Sequence, residues 1–389
     1  MRTRPTAASE IELSRSALKG NIRFLKKTLG GCRLISVVKS NAYGHGIRCF
    51  APLARELGVN MFGVFSADEA WSLLDAGIPG DEILIMGYIH ESDLPWATGN
   101  NISFYVSDLE CIRAAAAAGN RENPSRIHLE LETGMNRTGL PQDSLETAAE
   151  ILNKEPDAVR VMGTCTHLAG AESTSNHQRI QKQMTLFHEL CGFLLQLGIT
   201  PGMRHAASSA AALSLPETRM EGARVGIALY GYWPSMETRM HHMLDTGRKM
   251  ENFRDPLKRI ISWKSRVMGI TMVKPGEFVG YGSSFLTSRC QRVAAVPVGY
   301  SQGFSRSLSN LGHVLIQGRR APVCGVVNMN MMMVDITDCP GAEKGDEVVI
   351  IGKQGRREIS VRSFGDLAGH LNYEVLALLP ESIPRAVTA

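Results

Sequence analysis

At 389 residues the chain is long enough for two domains, or for one large barrel with an appendage, and its 44% hydrophobic and 21% charged content is ordinary for a globular protein. A net charge of +4 with scattered basic residues gives no footprint for nucleic acid, no apolar run reaches membrane-span length, and the basic start Met1-Arg2-Thr3-Arg4-Pro5 lacks the apolar stretch of a secretory signal. Eight dispersed cysteines, without a C-x-x-C pair or a zinc-like spacing with histidine, read as buried thiols of a cytoplasmic protein with no metal site.

Taken in order, Ile11-Glu12-Leu13 alternates like a short strand. A helix is expected from Ser16 to Leu29, capped by Ser14, with Leu18, Ile22, Leu25 and Leu29 at helical spacing and Gly30-Gly31 as its stop. The β-branched run ending at Val37-Val38 predicts a buried strand, with Lys39 at its end. Seven more strand-like runs follow, at Met61-Phe65, Glu82-Met86, Ile102-Val106, Arg126-Glu132, Val159-His167, Met203-Ser208 and Ala223-Tyr230. Helical segments alternate with them, among them Ala67-Ala76, Leu109-Ala118, Ser144-Lys154 and Ser175-Leu197. Eight such units predict a (β/α)8 TIM-type barrel over residues 10–240. No G-x-G-x-x-G follows the first strand, which argues against a dinucleotide fold.

The pattern changes after Trp233. The stretch to Pro256 is polar and Met-rich, and residues 241–256 read as a linker; His241-His242 read as solvent-loop residues rather than metal ligands. A possible helix lies near Glu237-Leu244. From 257 to 389 a mostly β domain is expected. Its strands are Arg259-Val267, Gln291-Val298, Ala321-Val327, Met331-Ile336 and Glu347-Ile351, with a short helix from Ser363 to Leu371 and a closing strand from Tyr373.

Lys39 carries the first chemical expectation. A lysine at a strand end, beside apolar walls that lower its proton affinity, can present the neutral amine that attacks an aldehyde. In a β/α barrel the site lies at the carboxyl ends of the strands. His205-Ala206-Ala207-Ser208-Ser209 after the seventh strand and Arg224-Val225-Gly226-Ile227 in the eighth would there offer hydroxyl and backbone N–H donors to a phosphate monoester.

The string Val37-Val38-Lys39-Ser40-Asn41-Ala42-Tyr43-Gly44-His45-Gly46 resembles the pyridoxal phosphate attachment motif of alanine racemases. The resemblance extends to Thr133-Gly134-Met135-Asn136-Arg137-Thr138-Gly139, Thr166-His167-Leu168-Ala169, Arg224 to Gly231, Gly280-Tyr281-Gly282, Pro297-Val298-Gly299-Tyr300 and Asn372-Tyr373-Glu374. It implies a homodimer with shared sites that interconverts L- and D-alanine by exchange of the α-proton, supplying D-alanine for peptidoglycan. Lys39 would hold the cofactor as a Schiff base and exchange the proton on one face, and Tyr281 of the other subunit would exchange it on the opposite face. Arg224 would meet the ring nitrogen, with His167 beside the ring. Ser209, Gly226, Ile227, Tyr43 and Tyr373 would hold the phosphate. Arg137 and the Met329 backbone would take the substrate carboxylate, and Tyr300 would narrow the entrance. Two bases are physically required, because a single group reaches one face of a planar carbanion. An arginine at the ring nitrogen keeps that nitrogen unprotonated, which discourages transamination.

The chain departs from the family in places. Glu130 stands where a lysine, often carbamylated, is usual, and on a period-two strand Glu130 and Glu132 would face the lumen and support Arg137. Val326-Val327-Asn328-Met329-Asn330 replaces Arg-Val-Cys-Met-Asp, removing charge at the entrance. A serine or broad-specificity racemase of the same fold is therefore the alternative. A pyridoxal phosphate carrier without catalysis and a decarboxylase of basic amino acids are more distant readings.

Overall fold

The structure, a computed structural model, describes residues 5–245, 253–369 and 371–389. Its chain divides into two compact units, residues 16–42 with 50–259, and residues 1–15 and 43–49 with 260–389.

The first unit is built on β2 (Arg33–Val37), β3 (Phe62–Ser66), β4 (Ile83–Tyr88), β5 (Ser103–Val106), β6 (Ser125–Glu130), β7 (Val159–Cys165), β8 (Met203–His205) and β9 (Gly222–Val225); β1 (Ser9–Ser14) precedes them in the chain. These eight strands are parallel, in the order β8-β7-β6-β5-β4-β3-β2-β9. The two ends of that order meet through Glu221 N–H to the Arg204 carbonyl (3.2 Å) and Arg224 N–H to the Ala207 carbonyl (2.9 Å). The result is a nearly closed (β/α)8 barrel, as the alternation predicts. Its interior is filled rather than open: Ile35, Met61, Leu84, Tyr105 and Cys165 pack together, with Met86 and Met203 against them. Helix Arg15–Leu29 buries Leu18, Ile22, Leu25 and Leu29, each burial contributing about 1.5–3 kcal/mol. The chain leaves it through Gly30 and Gly31 at φ +60° and +100°, a conformation that costs glycine little.

The stretch from Trp233 holds a helix, Met236–Asp245, so His241 and His242 lie on a helix rather than in a loop. His242 stands edge-on to Phe24 at 5.2 Å between ring centres, and Trp233 Nε1–H donates to the Asp255 carboxylate (3.0 Å). The rest of the expected linker, residues 246–252, lies outside the described residues.

The second unit is mostly β. It contains β10 (Ile261–Arg266), β11 (Gly269–Val273), β12 (Gln291–Val296), β13 (His313–Ile316), β14 (Arg319–Pro322), β15 (Met332–Asp335), β16 (Glu347–Gln354), β17 (Arg357–Ile359) and β18 (Arg385–Thr388). One sheet runs β14-β13-β16-β10-β1-β18 with β17 on β16, and a second runs β11-β12-β15. The N-terminal strand thus belongs here, antiparallel to β10 and parallel to β18. Two expectations are corrected. The segment from Tyr373 is not a strand but the helix Asn372–Ala377, with the closing strand at β18. Nor are the thiols uniformly buried: Cys290 is exposed, Cys32, Cys49 and Cys111 half-buried, and all eight cysteines are free.

Candidate active site

Lys39 follows β2 at its carboxyl end. The parallel ladder runs Ser36 N–H to the Met61 carbonyl and Val38 N–H to the Gly63 carbonyl, both 2.8 Å. There the strand breaks. Ser40, Asn41, Ala42 and Tyr43 take φ of +54°, +52°, +54° and +50°, one turn of left-handed helix closed by Ala42 N–H to the Val38 carbonyl (2.7 Å). For L-residues that hand costs roughly 1–2 kcal/mol per residue, so the surroundings must hold the turn. Although the Lys39 side chain reaches solvent, its proton affinity is lowered, by burial of the ammonium first and then by the Arg137 charge, with Glu69 opposing both. That is the direction a nucleophilic amine requires.

Arg224, on β9, is 7% exposed and anchored without a carboxylate. Nη1 donates to the His205 carbonyl (2.5 Å) and to His205 Nδ1 (2.8 Å); Nη2 donates to the carbonyls of Thr166 (2.8 Å) and Ala206 (3.1 Å). Of the five guanidinium N–H groups, the Nε–H alone has no partner among the described residues. Because arginine only donates, His205 Nδ1 accepts, its proton sits on Nε2, and that donates to His128 Nδ1 at 2.9 Å. Burial, then the Arg224 charge, holds His205 well below the usual imidazole range. Burial, then Arg126 and Arg224, pushes His128 down to about 3. The relay is neutral and has one direction.

The remaining barrel residues lie on loops after the strands. His167 follows β7 and is pushed down to about 3 by burial first, then by Arg224, Arg137 and Lys39. Ser209 opens the short helix after β8, and its Oγ accepts from Gly226 N–H (2.9 Å), tying the two predicted phosphate segments together; Ile227 is buried beside Gly226. Arg137 is exposed, in the loop after β6. Glu130 is buried at the end of β6, but no ion pair joins it to Arg137 among the described residues. Glu132 turns to its own loop, accepting from Gly134 N–H and from Asn136 N–H (3.0 Å).

In the second unit Tyr281 and Met329 lie on loops, Tyr300 opens a single 3-10 turn, and Tyr373 lies on the helix Asn372–Ala377. Tyr281 is 74% exposed, between Gly280 at φ +74° and Gly282 at φ +66°. Tyr300 and Met329 are exposed neighbours: the Met329 carbonyl accepts Ser301 N–H (3.0 Å) and Ser301 Oγ–H (2.8 Å), and Tyr300 N–H reaches the Asn328 carbonyl (3.0 Å). Asn330 Nδ2–H donates to Ser301 Oγ (2.7 Å). Tyr43 and Tyr373 stand with ring centres 6.1 Å apart.

Two residues escape a motif-based reading. Gln183, 1% exposed on helix His177–Gln196, donates to the His167 carbonyl (2.9 Å) and accepts from Ala169 N–H (2.8 Å), bracing the His167 loop. A polar residue within the apolar stripe Ile180, Met184, Phe187 is the signal that could have found it. Glu69 looks like an ordinary first-turn acid and is taken up below.

This donor set fits pyridoxal phosphate. The fit rests on a lysine with lowered proton affinity for the aldehyde, one unpartnered arginine N–H for the ring nitrogen, and the Ser209 hydroxyl, whose own proton is left to donate while its oxygen accepts from Gly226 N–H, for the phosphate. The cations Lys39, Arg137 and Arg224 face neutral imidazoles, which suits an anionic ligand.

Comparison with known proteins agrees with this chemistry. The alanine racemase N-terminal domain matches residues 13–234 and the alanine racemase C-terminal domain matches residues 260–387. The chain is 37% identical to an alanine racemase of Leptospira interrogans, over 98% of this chain and 96% of that protein. It is 35% identical to one of Symbiobacterium thermophilum, over 98% and 97%. Among solved structures, alanine racemase from Bacillus anthracis with bound L-Ala-P superposes with a TM-score of 0.88 at 28% identity, covering 100% of this chain and 96% of that one. That from Streptomyces lavendulae gives 0.86 at 29%, covering 99% and 98%.

Proposed function

This chain belongs to the alanine racemase family, and from that premise we propose that it interconverts L- and D-alanine with pyridoxal phosphate through two bases, Lys39 and Tyr281. Arg224 carries the reading. Protein acceptors take every terminal guanidinium N–H, leaving the Nε–H for the ring nitrogen. A permanent cation there, backed by two neutral histidines that cannot pass it a proton, keeps that nitrogen unprotonated. Bound pyridoxal phosphate supplies an aldehyde for a covalent link to an amine and a ring that spreads the charge left by a departing α-proton. Ser209, Gly226, Ile227, Tyr43 and Tyr373 would hold its phosphate, and His167 would stand beside the ring.

Lys39 Nζ and Tyr281 Oη hold and return protons on opposite faces of the substrate carbon. Tyr281 comes from the second subunit of a homodimer. Arg137, with the Met329 backbone, orients the substrate carboxylate, and Tyr300 restricts the entrance. Eight free thiols support a reducing, cytoplasmic compartment, and no helix among the described residues is long and apolar enough to cross a membrane. D-alanine for peptidoglycan is the product role that this activity serves.

Val326 and Asn330, uncharged at the entrance, support some acceptance of side chains larger than methyl. Incubating the protein with L-alanine, L-serine and other L-amino acids, then separating enantiomers, tests the reading. D-alanine should form fastest. Failure to invert any amino acid would overturn it.

A further inference from the structure

The break in β2 leaves a backbone donor to be accounted for. By the ladder's spacing, Ser36 to Met61 and Val38 to Gly63, the next bond would run from Ser40 N–H to the Phe65 carbonyl. The left-handed turn prevents it. On the neighbouring strand the β3–β4 register shifts between Val64 and Ser66, which places an irregularity at Phe65. One side chain takes both donors: Glu69 Oε1 accepts Ser40 N–H at 2.5 Å and Oε2 accepts Phe65 N–H at 2.8 Å.

Glu69 is the third residue of helix Ala67–Asp75, preceded by Ser66 at the cap. The sequence Ser66-Ala67-Asp68-Glu69 is that of a capping box, in which the glutamate would turn back to the N–H of its own cap residue. Here Ser66 Oγ bonds Asp68 instead (2.5 Å), and the Glu69 carboxylate reaches across to the end of the lysine strand.

We propose that Glu69 is a positioning residue for Lys39, its carboxylate replacing the missing ladder bond so that the left-handed turn, and with it the lysine side chain, is held in place. The proposal rests on Lys39 being the cofactor lysine. An ordinary first-turn acid would act only on its own helix dipole. A carboxylate joining two strand ends acts on the turn that follows Lys39. It also stands as the anionic neighbour of the ammonium, against the cation Arg137 and the neutral His167.

Two measurements test it. Hydrogen exchange at the Ser40 amide should be about tenfold faster or more in Glu69→Ala than in the parent, because a charge-assisted bond is lost. In protein freed of cofactor with hydroxylamine, the pH profile for acylation of Lys39 by an acid anhydride, read by peptide mass, should move to lower pH in Glu69→Gln. That variant keeps the shape and removes the charge. Glu69→Asp, too short to bridge both donors, serves if Glu69→Ala does not fold, and should also speed Ser40 exchange. Unchanged Ser40 exchange, or an unchanged Lys39 profile, would overturn the proposal. Borohydride reduction of the loaded protein separately identifies the lysine that carries the cofactor. If that is not Lys39 the proposed function fails, while the exchange result still judges Glu69.

Discussion

The mouth of the barrel and the loops of the β unit carry the two proposed bases in opposite ways. At the barrel, Arg224 makes four bonds to protein acceptors, two histidines follow in a fixed relay, and Lys39 precedes a turn whose Ser40 and Ala42 N–H groups are taken up by the Glu69 carboxylate and the Val38 carbonyl. Tyr281 lies 74% exposed on a glycine-flanked loop, with Tyr300 and Met329 also exposed in the same unit. Large apolar rings and thioethers left in water cost what their burial would return. One proposed base is therefore prepared within its own chain, and the other stands exposed on its loop, an arrangement that the proposed homodimer would complete.

Removing the prepared side should have the largest effect. Lys39→Ala should lose the borohydride-trapped cofactor and lower racemisation roughly a thousandfold or more. A retained covalent link would reassign the anchoring lysine. Tyr281→Phe should slow proton removal from L-alanine about a hundredfold, while exchange from the D enantiomer, served by Lys39, persists. Deuterium wash-in from heavy water, followed for each enantiomer, reads the difference, and equal losses would end the two-base description.

The buried histidines give a third, intermediate effect that belongs to the barrel alone. His128 and His167, pushed down to about 3 when folded, take up protons near 6.5 when unfolded. Their neutral burial contributes stability above about pH 6.5, which is lost as pH falls towards 3. The melting temperature should therefore drop as pH is lowered from 7 to 5, and His128→Asn should flatten that slope. A parent slope no steeper than the variant's would remove the neutral relay from the description.

The smallest effect concerns Glu130. Without an ion pair to Arg137, Glu130→Gln should leave the KM for alanine within about twofold. A rise of several-fold would restore the support that the strand period suggests.

The sequence showed some of this more clearly than the rest, for physical reasons. The barrel was legible because each buried parallel strand is a short apolar run followed by turn residues and an amphipathic helix, and the Lys39 string is dense in specific residues. The left-handed turn was not legible: of Ser40, Asn41, Ala42 and Tyr43, only asparagine favours that hand. The place of β1 between β10 and β18 depends on pairings hundreds of residues apart in sequence, which no local pattern encodes. The helix Asn372–Ala377 was not legible because six residues are too few for a helical or strand period to declare itself. Glu69 carries a capping-box spacing that points to its own helix. Its actual partners become visible only when the ladder beside it is seen to stop.

The claim that the two bases come from different copies is tested most directly by mixing Lys39→Ala and Tyr281→Phe proteins under conditions that exchange subunits. A hybrid dimer would hold one doubly damaged site and one intact site. At statistical mixing about a quarter of the parent activity should return from two nearly inactive proteins. No recovery, with hybrid dimers demonstrated by native mass spectrometry, would contradict the account.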